Sequence, residues 1–157
     1  MPGLRKAIAG FCLTATLLGS CYVAYAASPT AAAAIAARKA NYKEIGGAFK
    51  TINDELKTGA PDLATIRPLA REIVTRASDQ LKYFPKGSGP ESGEKTRAKP
   101  AIWTDQATFV KAHNDMLGAA RALQAATMTG DVAAMTSARA TLGGTCKACH
   151  EKFRESE

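Results

Sequence analysis

Apolar residues recurring every three and four positions, in four separate stretches, constrain this 157-residue chain more than any other feature. The first stretch, residues 30–58, places Ile35, Arg38, Tyr42, Ile45, Phe49, Ile52 and Leu56 at a 3-4-3-4-3-4 spacing, the seam of a helix that packs one face against its neighbours. The second, residues 62–84, carries Leu63, Ile66, Ala70, Ile73, Ala77, Leu81 and Phe84; Pro68 inside it predicts a kink or a delayed start. Residues 85–102, with Gly87, Gly89, Gly93, Pro85, Pro90 and Pro100, read as one long loop. A third helix starts near 103–105, where Thr104 or Asp105 can cap. It carries Phe109, Ala112, Met116, Ala119, Leu123 and Ala126, and Gly130 ends it. Asp131 caps the fourth, which uses Val132, Met135, Leu142, Cys146, Cys149 and Phe153. No β-type alternation and no solenoid-length repeat interrupts this pattern. The expected fold is all-α, an antiparallel up-down four-helix bundle around one core.

Residues 1–26 stand apart from that bundle. Arg5 and Lys6 precede an apolar run from 7 to 23, and Ala24-Tyr25-Ala26 is a small-x-small exit. This is the build of a secretory signal, which predicts a periplasmic mature chain of residues 27–157. A rival exit is Leu18-Gly19-Ser20-Cys21, which resembles a lipoprotein box. Lipidation of Cys21 would tie the chain to the membrane. Cys12 and Cys21 otherwise leave with the signal, and Cys146 and Cys149 remain. Losing two basic and no acidic residues lowers the formal charge from +7 to +5. Those charges are scattered, with no basic block, so nucleic acid is not an expected partner. A mildly basic surface suits an acidic redox partner, but the ordinary solvated face of a helix bundle is the commoner explanation.

Cys146-Lys147-Ala148-Cys149-His150 is the strong chemical signal. Covalent haem attachment needs two thiols to add across two vinyl groups on a porphyrin, and an imidazole beneath the iron. Helical i, i+3 and i+4 positions share one face and supply both. The same pair is poorly placed for a disulfide. A thioredoxin-like dithiol would follow a strand, and zinc would need further ligands where the mature chain offers only His113. His113 falls between seam positions and reads as a surface or rim histidine. The pairs Gly46-Gly47 and Gly143-Gly144 are costly inside helices and suggest close approach to something bulky.

With the motif near the C-terminal end followed by Glu151-Lys152-Phe153-Arg154, the Arg38–Tyr42 segment on the first helix, and a loop ending Lys99-Pro100-Ala101-Ile102-Trp103, the chain resembles the class II c-type cytochromes, and within them cytochrome c′. The resemblance covers nearly all of residues 30–157 and implies one covalent haem c, with His150 as the axial iron ligand. It implies that Arg38 pairs with a haem propionate, an apt Arg–carboxylate contact, and that Arg154, four residues after His150, lies over the proximal imidazole. It also places Ser88 and Gly89 along the haem edge. Family members dimerise through their first two helices, so a homodimer is the implied assembly.

The second axial position decides the function. Low-spin relatives place a methionine four residues after the arginine, and this chain has Tyr42 there. The methionines of the mature chain are Met116, Met128 and Met135, all on the third and fourth helices. A neutral phenol is a poor donor to ferrous iron. The expected function is therefore a high-spin, five-coordinate haem protein that binds NO or CO and exchanges one electron. Tyrosinate ligation of ferric iron and a low-spin electron carrier are the alternatives. An enzyme is not expected, since peroxidase-like chemistry wants polar acid–base groups and the first-helix face offers Tyr42 among apolar residues.

Overall fold

The computed structural model describes residues 29–156, so the signal-like segment, Cys12 and Cys21 lie outside the described residues. Five α-helices follow in order: α1 (Ala31–Lys57), α2 (Leu63–Ser78), the single turn α3 (Ala101–Thr104), α4 (Gln106–Thr129) and α5 (Val132–Phe153). The four long ones form the expected antiparallel bundle. Each starts at a side-chain cap. Thr30 accepts from the Ala33 amide at 3.2 Å, Asp62 from Ala64 at 2.9 Å, Asp105 from Thr108 at 3.4 Å and Asp131 from Ala133 at 2.8 Å. Gly130, at φ +76°, closes α4 in the left-handed conformation that favours glycine, and allows the two-residue joint to α5.

The seam of α1 is wider than the 3-4 reading. Ala34, Asn41 and Ala48, at heptad spacing, are buried beside Ile35, Arg38, Ile45, Ile52 and Leu56. The small stripe lets α1 approach α2, where Asn41 Nδ2 donates to the Arg76 carbonyl at 3.1 Å. Ile52, Ile66, Ile73, Leu123, Met135 and Leu142, each below 2 % exposed, are the centre of the core.

The bounds of the second helix and the place of His113 are corrected, and the Asp105 cap expected for the third long helix is observed. The second helix starts at Leu63, so Pro68 delays nothing, and it stops at Ser78. Residues Gln80–Tyr83 continue as a 3₁₀ turn, whose three residues per turn break the 3.6 phase. Gln80 therefore turns inward and Leu81, expected on the seam, faces solvent. The third helix starts at Gln106, because the Asp105 backbone (φ −123°, ψ 56°) separates it from the turn at Ala101–Thr104. On α4 the buried positions are Phe109, His113, Met116, Ala120, Leu123 and Thr127, with Ala119 beside them. His113 is thus a seam residue and not a rim one. Periodicity does not separate the two phases, because alanines at 112, 119 and 126 form an equally apolar neighbouring stripe.

The helices do not close evenly. α5 packs along α4, α4 along α2 and α2 along α1, whereas α1 and α5 meet much less closely. Their gap is capped by the 85–104 segment, which carries its own apolar cluster. Ala98 and Ile102 from that segment join Phe109 and Phe153, with Phe84, Trp103 and Cys149 packed against them.

Candidate functional site

Between α1 and α5 lies a cavity of about 540 Å³. Cys146, Cys149 and His150 line it from α5, and Tyr42, Ile45, Gly46 and Phe49 from α1. Phe84, Ile102, Phe109 and Phe153 close its inner end, while Arg38, Lys39, Lys43, Arg97 and Arg154 also line it. The walls are mainly apolar with a fringe of cations, and the fringe suits an apolar ring that carries carboxylates.

Both thiols are free and half-buried. Burial raises Cys146 above its ordinary value, and burial together with the neighbouring Cys146 pushes Cys149 up to about 11. A redox dithiol works through a depressed thiol, the opposite sense. His150 moves downward, through burial and then the positive charges of Arg154 and Arg97, which keeps the imidazole neutral and able to ligate. Among the described residues no group of three or more His, Cys, Asp or Glu side chains could hold a metal ion by itself.

Opposite this ledge stands Tyr42. Burial, with the two thiols nearby, drives its phenol well above the ordinary value, so it stays protonated and tyrosinate is disfavoured. Its ring meets Phe84 edge-on at 6.5 Å. Contacts of 4.9 Å from Phe84 to Phe109 and 5.2 Å from Phe109 to Phe153 carry the ladder across to α5. Met135 and Met116 are buried in the main core and Met128 is exposed. None of the cavity-lining residues is a methionine.

Arg38 is 3 % exposed and has a visible structural task. Its guanidinium donates to Ser88 Oγ (3.0 Å), the Ser88 carbonyl (2.8 Å) and Thr96 Oγ1 (2.7 Å), and lies over the Phe84 and Trp103 rings. It pins the long loop to α1. Ser88 is fully buried behind it and, like Gly89, is not among the residues lining the cavity. The loop turns Ser88 toward Arg38. Of the two helical glycine pairs, only Gly143 meets a neighbour, since a Cβ there would lie 3.3 Å from Phe49. Gly46 faces the cavity.

Arg154 is where α5 ends. Its backbone is extended (φ −127°, ψ 134°) and bridges to Ala98, so it does not continue the helix over His150, although its charge reaches the imidazole. The same bridge brings in residues that periodicity could not reveal. Lys99 N donates to the Phe153 carbonyl at 3.0 Å and Glu155 N to the Arg97 carbonyl at 2.8 Å, setting Thr96, Arg97 and Ala98 along the cavity. Phe49, Phe84, Phe109 and Phe153 were legible as seam aromatics; their convergence on one cavity was not.

The family model for cytochrome c′ matches residues 33–154. The chain belongs to the cytochrome c′ family. It is 45 % identical to the cytochrome c′ of Rubrivivax gelatinosus over 101 residues, covering 64 % of this chain and 71 % of that protein. A solved cytochrome c′ described for its ligand-controlled dimer dissociation is 28 % identical with a TM-score of 0.76, over 83 % of this chain and all of the other. The cytochrome c′ of Alcaligenes xylosoxidans, solved as a point variant in complex with nitric oxide, is 26 % identical with a TM-score of 0.73, over 81 % of this chain and 98 % of its own. A second point variant of that protein has been solved with carbon monoxide bound. Cytochromes c′ bind one haem c covalently, and the donor set here fits that group: two thiols at i and i+3 and a neutral imidazole at i+4 face one apolar cavity with cations around it.

Proposed function

We propose that residues 27–157 form a periplasmic c-type haem protein with a high-spin, five-coordinate iron that binds NO or CO and exchanges one electron with a redox partner. Cys146 and Cys149 hold the haem through thioethers and His150 supplies its axial ligand. Arg38, already tied to the loop, offers its remaining donor capacity to a propionate, and Arg154 keeps positive charge beside His150. When bound, the haem supplies an iron that accepts one diatomic ligand and one electron. The chain's own part is to hold His150 neutral, exclude water with the aromatic ladder, and guard the α1 side with Tyr42.

One observation carries this reading: the α1 side of the cavity offers a protonated phenol as its aromatic group opposite α5, and no methionine is among the cavity-lining residues. The NO and CO complexes of a relative support the choice of gases. The absorption spectrum of the dithionite-reduced protein tests it. A high-spin ferrous spectrum that shifts on CO addition is expected; a low-spin spectrum indifferent to CO would make the chain an electron carrier instead. A homodimer is the assembly we expect, and sedimentation of the haem-loaded protein should return twice the mass of one chain.

Export is a separate proposal. Among the described residues no helix is long and apolar enough to cross a membrane. The mature protein is expected to begin at Ala27, after cleavage behind Ala26. Intact-mass analysis of the purified protein checks this, and a diacylglyceryl adduct on Cys21 would show membrane anchoring.

A further inference from the structure

Glycine inside a helix is costly, because it has the most backbone freedom to lose on folding. α1 holds two in succession, Gly46 and Gly47, in the interior of a 27-residue helix. Close packing explains neither, since a Cβ at either position would meet no neighbour within 4 Å. The two differ in one respect. Gly46 lines the cavity and Gly47 does not. Gly46 also lies one turn beyond Tyr42, and residues four apart are neighbours on a helix surface. A side chain at 46 would lean back over the preceding turn, toward the phenol.

The surroundings of Tyr42 leave its ring one direction in which to move. Of its four neighbours along α1, Arg38 is buried and tied to Ser88 and Thr96 by three hydrogen bonds. Lys39 is held to the long loop, its Nζ donating to the Lys95 carbonyl at 2.7 Å. Ile45 is 6 % exposed and belongs to the main core. Phe84 stands edge-on to the ring and is packed in turn against Phe109. Gly46 is the fourth neighbour, and it presents no side chain where it borders the cavity. We propose that Gly46 is a positioning residue for the distal phenol: it keeps clear the space into which the Tyr42 ring turns when a diatomic ligand binds. Gly46 thus acts through the ring and not on the ligand itself. The helix bears a glycine there because any side chain would hold the phenol over the ligand position. The inference rests on reading the Tyr42 side as the ligand side.

The test is a double-mutant cycle on the haem-loaded protein, using Gly46→Leu and Tyr42→Ala, with CO affinity read by equilibrium titration and Tm by calorimetry. Leucine fills the space, so the displaced ring must overpack against its neighbours. CO binding should weaken by about five- to one-hundred-fold in the tyrosine background. With Tyr42 already alanine there is no ring to accommodate, and the change should stay below about twofold. Gly47→Ala is the control. Gly46→Ala and Gly47→Ala should each raise Tm by about 2–5 °C, because alanine favours the helix equally at both positions. Only the first should weaken CO binding. Equal losses of affinity in both Tyr42 backgrounds would mean that bulk at position 46 meets the haem or the ligand directly, and would overturn the proposal. If Gly46→Leu carries no haem, Gly46→Ala takes its place in the cycle and the same contrast between backgrounds decides. A wild-type protein that binds no CO defeats the gas-site reading and this inference with it. A wild-type protein that binds CO, with affinity unchanged in Gly46→Leu, defeats this inference alone.

Discussion

Replacing Cys146 and Cys149 together by alanine is expected to convert a haem that acid–acetone cannot extract into one that it extracts completely. The effect is nearly all-or-none because each thioether is a covalent bond, whereas the contacts that remain are an imidazole, an apolar cavity and the cationic fringe. Those contacts can retain a haem reversibly, but acid protonates His150 and organic solvent removes the hydrophobic drive. The bundle should survive the change. Both cysteines are half-buried cavity residues, while the centre of the core is carried by Ile52, Ile66, Ile73, Leu123 and Leu142. Each single cysteine variant should keep its haem through the remaining thioether, with a shifted absorption maximum. Free extraction of haem from the unaltered protein would defeat the reading of the Cys146–His150 segment altogether.

The second large effect belongs to Tyr42. Its ring is packed edge-on against Phe84 and lies on the α1 wall of the cavity, across from His150. A ligand entering on that side must move it, forfeiting part of a burial worth about 1.5–3 kcal/mol for a large apolar side chain. Tyr42→Ala removes that cost beforehand, so CO affinity should rise by about ten- to one-hundred-fold at about 1.4 kcal/mol per decade. The same truncation opens a hole beside Phe84, and Tm should drop with it. Equilibrium CO titration measures the first effect and thermal unfolding the second. Tyr42→Met makes the opposite change, placing a thioether on the wall that faces His150, and should give a low-spin ferrous spectrum with CO binding weakened or abolished. Should Tyr42→Ala leave CO affinity untouched, the phenol is a passive core aromatic and the ligand approaches elsewhere.

Much of this was legible before any coordinates. Four apolar seams at three- and four-residue spacing require four helices with one packed face each, because that period brings a stripe to one side of a helix and to nothing else. The caps at Asp105 and Asp131 and the stop at Gly130 were readable for the same local reason, as each satisfies or frees backbone groups within a few residues of itself. The pairing of two thiols with an imidazole on one helical face is also a local fact, and it points to haem by chemistry alone.

What needed the tertiary structure was everything that depends on how stripes face one another. His113 changed from rim to core because two adjacent stripes on α4 are equally apolar in sequence, and only the packing of α2 and α5 against it chooses between them. Gln80 became a buried residue because α2 gives way to a 3₁₀ turn, a tighter winding that no single residue announces. Ser88 went behind Arg38 and away from the cavity, and Arg97 came to His150, through contacts spanning 50 and more residues in a loop with no period to read. Local spacing determines which residues share a face. The uneven closing of α1 against α5 decides which of those faces surround the cavity, because that gap is a property of the packed bundle and belongs to no helix on its own.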